Sequence, residues 1–393
     1  MTPLYLKRGE ERRLRTGHPW VYNNELDVGR ARLRGLPPGE PVELRDHRGE
    51  PLASAYANPH SLIAARIVSR EPGVRLERGL LAERIGAADA LRRREFDSPY
   101  YRMVFGESDA LPGLIADRYG DVAVVQITTA GMDRVKAELV DVLRTDLGFR
   151  TVVLRNDTPA RSLEGLEAST EVVGEPIGET ITVEEGGGVF EAAPLAGQKT
   201  GWYYDHRSNR ARLASRVAGK RVLDLYSYTG AWGIRCALGG ASEVRCIDSS
   251  ANAIELVERN AVRNGVADRV RAERSDAVRA LKALRSAGER FDVVVLDPPA
   301  FIRRRKDRTK GFEAYRRANG LAIQLLAPGG RLVSASCSAH LERTKHLEII
   351  ARVSHPLGLH PRVMEEGGQD RDHPVHPALP ETGYLRAFFV EYA

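Results

Sequence analysis

Three rhythms of apolar and polar positions divide the chain. Over residues 1–72, short alternating runs are separated by Gly/Pro turns. There PPGEPVELRDHRGEPLASAYA and SLIAARIVS predict strands of a small barrel. Residues 73–190 mix two periods. GLLAERIGAADALRRREF and MDRVKAELVDVLRTDL predict helices, DVAVVQITT and RTVVLRN predict strands, and ETITVEEGGGVFEAA predicts a hairpin turning on glycines. From 191 to 393 the rhythm changes again. RVLDLY, EVRCID, RVRAERSD, FDVVVLD and GRLVSAS have near-continuous apolar centres, and each is followed by a helical pattern. That alternation predicts a parallel sheet covered on both faces. LHPRVME and YLRAFFVEY follow without a helix between them, which predicts a closing antiparallel hairpin. The expected architecture is multi-domain: an N-terminal β-barrel (1–72), a small central α+β domain (73–190) and a C-terminal α/β Rossmann-like sheet (191–393).

Composition narrows the class. The chain has 393 residues, 42% hydrophobic and 28% charged, as in an ordinary globular protein of two or three domains. It contains no apolar run of about 18 residues or more, so no membrane span is expected. MTPLYLKRGEERRLR is charged and lacks an apolar centre, so it does not read as a secretory signal. Three scattered cysteines, Cys236, Cys246 and Cys337, form neither a disulfide framework nor a metal knuckle, which suits a reducing cytoplasm and no metal. His373 and His376 in DHPVHP lack the further ligands a zinc site needs, and the stretch reads as a rigid loop on the substrate side. The net charge is +6, carried mostly by arginine. That balance permits a polyanionic partner and equally suits an arginine-rich genome.

Ligands of such a sheet sit at the C-terminal ends of its strands. The first strand ends in Asp224, followed by Tyr226-Ser227-Tyr228-Thr229-Gly230. The second ends in Asp248, the third in Ser275-Asp276, the fourth in Asp297-Pro298-Pro299, and the fifth in Ser336-Cys337-Ser338. Gly230 lets backbone approach a ligand at a helix start. Asp248, 24 residues after Asp224, is placed to accept both hydroxyls of a ribose. A dehydrogenase would carry G-x-G-x-x-G in the first turn, but YSYTGAWG has two glycines at another spacing. An acidic first strand with few glycines suits a cationic nucleoside, and S-adenosylmethionine is such a ligand. The competing reading is that strand-end acids cap the following helices.

Asp297-Pro298-Pro299-Ala300-Phe301 forms a stiff loop. Phe301 is placed to stack on a base taken out of its stack, and Asp297 to bond a ring nitrogen or an exocyclic amine. The loop alone points to base methylation without naming the atom. Cys337 names it. Carbon 5 of a pyrimidine is a poor nucleophile until a thiolate adds to carbon 6 and makes carbon 5 enamine-like. A free thiol with a pKa of about 8.5 needs activation for that. The bland alternative, a small buried hydrophobe, fits Cys236 and Cys246 better than Cys337.

The motifs GQKTGWYYDHRSNR, VLDLYSYTGAWG, CIDSS, DPPAF, SASCS and DHPV resemble the class I S-adenosylmethionine-dependent RNA 5-methylcytosine methyltransferases of the RlmI type, which act on 23S ribosomal RNA. GESDALPGLIADRYGD is also similar to that family. LKRGEERRLRTGHPWVYNNEL with GEPVELRD looks like its N-terminal PUA domain, an RNA-binding barrel. The resemblance implies Cys337 as nucleophile and Asp297 as the group that orients or protonates the cytosine. It implies a cofactor pocket lined by Asp224, Tyr226, Gly230, Asp248, Ser275, Asp276 and Asp297. Gln198, Lys199, Thr200, Asp205 and Arg207 would cover that pocket. It further implies large-subunit ribosomal RNA as partner, and a homodimer. Three relatives differ in their motifs. One 5-methylcytosine family has a second cysteine where this chain has Pro299, so product release here needs another base. A cousin that makes 7-methylguanosine shares the DPP loop but lacks the fifth-strand cysteine. The 5-methyluridine enzymes follow that cysteine with Asn-Pro, where Ser338-Ala339 stands here.

FIRRRKDRTKG follows the DPP loop directly. With Pro298, Pro299 and Phe301, its Arg303, Arg304, Arg305 and Lys310 are the candidate RNA contacts, phosphate-binding and salt-dependent, and a solvated loop is the alternative. Arg12, Arg13, Arg15 and His18 form a second basic cluster. The open alternatives in function are methylation at uracil carbon 5 or guanine nitrogen 7, and a non-catalytic RNA-binding protein on a methyltransferase fold.

Overall fold

The computed structural model describes residues 1–30, 32–198 and 200–392. The chain forms two compact units: Met1–Ile181 with Ala193–Trp202 and Arg371–Thr382, and Thr182–Ala192 with Tyr203–Asp370 and Gly383–Ala393.

The first unit holds two five-stranded sheets. In one, strands Thr2–Tyr5, Glu40–Arg45, Pro51–Ala57, Ile63–Ser69 and Trp20–Tyr22 lie side by side in that order. A bridge between Leu6 and Leu26 draws the two edge strands together, as the barrel pattern predicts. Alternation places Leu4, Val42, Leu44, Ala55 and Ala65 in its core. The second sheet orders Ser169–Gly174, Thr151–Asn156, Val122–Ile127, Leu114–Tyr119 and Tyr100–Phe105. Helix Arg78–Glu95 packs on it through Leu81, Ile85 and Ala88. The helix expected over MDRVKAELVDVLRTDL is broken into Ala130–Arg134 and Lys136–Asp141, followed by a wide turn over Val142–Asp146. Val135 leaves helical geometry between the first two pieces, and Leu147 N closes on Val142 O (3.2 Å), one residue further back than in an α-helix. Asn58 Nδ2 donates to Glu164 Oε2 (2.7 Å) and Arg66 to Glu164 Oε1 (2.8 Å), so buried polar contacts join the two sheets.

The hairpin expected over ETITVEEGGGVFEAA forms a separate ribbon, Ile181–Glu185 with Gly188–Ala192. The main sheet of the second unit has seven strands: β1 (Arg221–Leu225), β2 (Glu243–Asp248), β3 (Val270–Arg274), β4 (Phe291–Leu296), β5 (Leu326–Ser336), β6 (Pro361–Gly367) and β7 (Arg386–Tyr392). Their order is β3-β2-β1-β4-β5-β7-β6. Only β7 runs against its neighbours. Helices α1 (Arg207–Ala214), α2 (Ala231–Leu238), α3 (Ala251–Arg263), α4 (Ala277–Ser286), α5 (Arg308–Ile323) and α6 (Arg343–Ser354) complete the layers. Leu223, Leu225, Val294, Leu296 and Leu332 fill the sheet's core, which explains the continuous apolar runs. The sheet reverses its winding between β1 and β4, so a crevice opens at their C-terminal ends.

β6 and β7 pair antiparallel, as the closing hairpin expected, with a long connection between them. The chain makes an excursion between them, and its Arg371–Thr382 segment belongs to the first unit. Asp372 explains the detour: it is fully buried, accepts from Arg102 N (2.9 Å), and its carbonyl takes the Arg92 guanidinium (3.0 Å). Among the described residues no helix is long and apolar enough to cross a membrane.

Candidate active site

The loop after β1 is strained where it meets the crevice. Tyr226 (φ +60°) and Tyr228 (φ +48°) occupy the left-handed region that non-glycine residues avoid. Gly230 (φ +83°) precedes α2, and an added Cβ there would press on Ile234 and Val257. Behind it Asp224 is fully buried and accepts from Gly233 N (2.9 Å) and from the Cys246 thiol (3.9 Å). Burial, then the nearby Asp297 and Asp248 charges, push its carboxyl up to about 8. Gly233 was not singled out in the sequence. A Cβ there would lie 2.4 Å from Cys246 Sγ, so only glycine lets α2 approach this closely.

Asp248 receives Tyr228 N (3.0 Å) on one oxygen and Ser250 N (2.9 Å) on the other, which ties the first two strand ends together. Asp276 caps α4 by accepting from Arg279 N (2.9 Å), and Ser275 is buried beside it. Of the four strand-end acids, Asp276 is therefore a helix cap, whereas Asp224 lies buried and Asp248 and Asp297 face the crevice loops.

Asp297 is bracketed by two residues that pattern reading did not find. Trp232 Nε1 donates to Oδ2 (3.2 Å), and His206 Nε2 lies 3.2 Å from Oδ1. Pro298 is buried and Pro299 exposed. The Phe301 ring meets Tyr226 and Tyr315 edge-on, at 6.3 and 4.8 Å. Arg303, Arg304, Arg305 and Lys310 are all exposed.

Cys337 follows β5 immediately. The Tyr315 hydroxyl bonds both Ser336 Oγ and Ser338 Oγ, each at 2.8 Å. Ser338 Oγ also accepts from Ile302 N in the DPP loop (3.3 Å). Both serines therefore face inward, and Cys337 between them is partly exposed. Cys236 and Cys246 are buried, and burial pushes both thiols up. Burial, then the charges of Tyr228, Asp205, Asp297 and Cys337, raise the Tyr203 hydroxyl, so it stays protonated beside these groups.

Asp205 is buried, accepts from Tyr384 (2.5 Å), and its carbonyl takes Asp370 N (2.9 Å). Arg207 lies 4.0 Å from both Glu185 and Asp370. Gln198 and Thr200 fall in the first unit, where Thr200 is buried, donates its hydroxyl to Asp117 and accepts from Tyr119. Lys199 lies outside the described residues.

Residues 154–376 match the S-adenosylmethionine-dependent methyltransferase family model, and residues 4–70 match a PUA-like domain. The chain belongs to the S-adenosylmethionine-dependent methyltransferase family. Full-length relatives are named Ribosomal RNA large subunit methyltransferase I. The protein from Photobacterium profundum is 35% identical, with 98% of each chain covered. That from Aeromonas hydrophila is also 35% identical, again over 98% of each chain. Two solved chains share the whole fold. One is named as a methyltransferase complexed with SAH (TM-score 0.85, 19% identical, 100% of each chain), and one as an S-adenosylmethionine-dependent methyltransferase from Streptococcus mutans (0.82, 18%, 100% of each).

The site of this methyltransferase fits its cofactor. Asp224 Oδ1, Ser227 Oγ and Thr229 Oγ1 are buried, and none has a hydrogen-bond partner among the described residues. A cationic, hydroxyl-bearing nucleoside supplies what these atoms lack: positive charge for the acid and polar partners for the hydroxyls. Asp224, the 226–230 loop and Asp248 are the residues that would hold it.

Proposed function

We propose that this methyltransferase modifies carbon 5 of a cytosine in large-subunit ribosomal RNA through a covalent adduct with Cys337. The relatives' shared name supports the RNA class. The chemistry rests on one observation: the partly exposed Cys337 sits at the end of β5, flanked by two serines turned inward, in the sheet that carries Asp297 at the end of the adjacent β4.

S-adenosylmethionine supplies an electrophilic methyl group on a sulfonium. The Cys337 sulfur adds to carbon 6 of the cytosine while Asp297 holds the Watson–Crick edge. Carbon 5 becomes enamine-like and therefore nucleophilic. Loss of the carbon-5 proton then re-forms the double bond and expels the thiolate. Pro299 occupies the position where another family has a second cysteine, so a different base takes that proton.

The test incubates the protein with cofactor and unmodified ribosomal RNA, digests the RNA and identifies methylated nucleosides by mass spectrometry. 5-Methylcytosine that vanishes with Cys337→Ala is the expected result. A different methylated base that survives Cys337→Ala would exclude the carbon-5 chemistry.

A further inference from the structure

Trp232 Nε1 donates to Asp297 Oδ2 (3.2 Å), and on the other side the His206 ring comes close, with Nε2 3.2 Å from Oδ1. The form of His206 follows from its other nitrogen. Asn209 Nδ2 lies 2.9 Å from the Gly368 carbonyl oxygen and 3.2 Å from His206 Nδ1. A carbonyl only accepts, so the amide nitrogen must face it, and the second amide hydrogen reaches Nδ1. The opposite side of the same amide agrees, because Asn209 Oδ1 takes an Arg212 N–H (3.5 Å). Nδ1 is thus an acceptor, and the ring proton sits on Nε2, facing Asp297. His206 is buried at 3% exposure, and its ring lies 5.2 Å from that of Trp232.

We propose that His206 is a positioning residue for methyl transfer: an imidazole whose Nε2 edge, oriented by Asn209, works together with Trp232 to fix the plane of the Asp297 carboxylate toward the target base. The proposal rests on the reading of Asp297 as the group that holds the base. The Trp232 hydrogen bond on one oxygen and the His206 ring edge against the other restrict the carboxylate's turning, and leave lone pairs for the ligand. His206 exchanges no proton with substrate. It acts only through Asp297.

The test uses the full-length protein, unmodified ribosomal RNA and methyl-labelled cofactor, and measures single-turnover methyl transfer and cofactor Kd. His206→Gln keeps an N–H near the Nε2 position, whereas His206→Phe keeps the ring without it. His206→Met repeats the comparison should the phenylalanine variant fold poorly. The expected result is His206→Gln within about threefold of wild type and His206→Phe slower by roughly tenfold to a hundredfold, as for loss of a hydrogen bond to a charged group. Cofactor Kd should stay within about twofold, since no contact to that ligand is removed. His206→Phe as fast as wild type, or His206→Gln as slow as His206→Phe, would overturn the proposal. The label is scored nucleoside by nucleoside. Label on a base other than cytosine defeats the cytosine reading, while the Gln-to-Phe ratio still judges His206.

Discussion

At Asp224, burial sets the charge state first and neighbouring acids second. Its carboxyl titrates near 8 because burial, and then two nearby acids, disfavour the anion. A bound cation favours that anion and so lowers its pKa in the complex. Binding therefore releases a proton whenever the pH lies below about 8 and above the value in the complex. Cofactor affinity is expected to fall as pH drops below 8, by at most about tenfold per unit. Isothermal titration between pH 6 and 9 reads this directly. Asp224→Asn should weaken binding and flatten the slope, and an unchanged slope in that variant would remove Asp224 as the linked group. Gly233 poses the same question sterically. Gly233→Ala pushes a methyl group into Cys246 Sγ, so it should cost about 1–3 kcal/mol of stability in urea unfolding.

At the scale of elements, Cys337 depends on α5. Tyr315 lies on α5 rather than on β5, yet its hydroxyl bonds the serines on both sides of the cysteine. Tyr315→Phe leaves two buried serine hydroxyls short of a partner, at about 1–3 kcal/mol. Single-turnover methylation should slow while cofactor Kd stays constant, because the 226–230 loop is untouched. Equal loss of both would mean that the variant disturbs the whole crevice. Which elements were legible follows from the same physics. Strands buried on both faces read as apolar runs, so β1, β2, β4 and β5 and the acids and thiol at their ends were visible in order. Strands Tyr100–Phe105 and Leu114–Tyr119 were not. YYRMVF and LIADRY carry arginine and aspartate, and buried Arg102 and Asp117 pair with each other (2.7 Å). β3 departs from the expected apolar run: VRAER alternates and is largely exposed, because it is an edge strand. His206 and Trp232 were invisible for a different reason: their meeting with Asp297 is a tertiary contact that no period or spacing encodes.

At the largest scale, buried polar contacts join the sheets within a unit. Glu164 joins the two sheets of the first unit. Burial would raise its carboxyl, but Arg66 and Asn58 outweigh burial and hold it low. A depressed acid stabilises the fold above its ordinary range, and that contribution is lost as pH falls through the folded value. Glu164→Ala removes the nearer carboxylate of Arg66, leaving Glu107 at 3.7 Å, and one acceptor of Asn58, and should cost about 3 kcal/mol in thermal or urea unfolding at neutral pH. The exposed basic run after the DPP loop acts differently, through charge alone. If Arg303, Arg304 and Arg305 each neutralise one phosphate, replacing all three with alanine should lower the slope of log affinity against log salt by about 2 to 3, without altering cofactor Kd. Filter binding to ribosomal RNA from 50 to 300 mM salt measures it. A slope equal to wild type would assign these arginines to solvent. Electrostatic contact to RNA would then fall to other basic surfaces, beginning with the exposed Arg12 and Arg15 near the start of the chain.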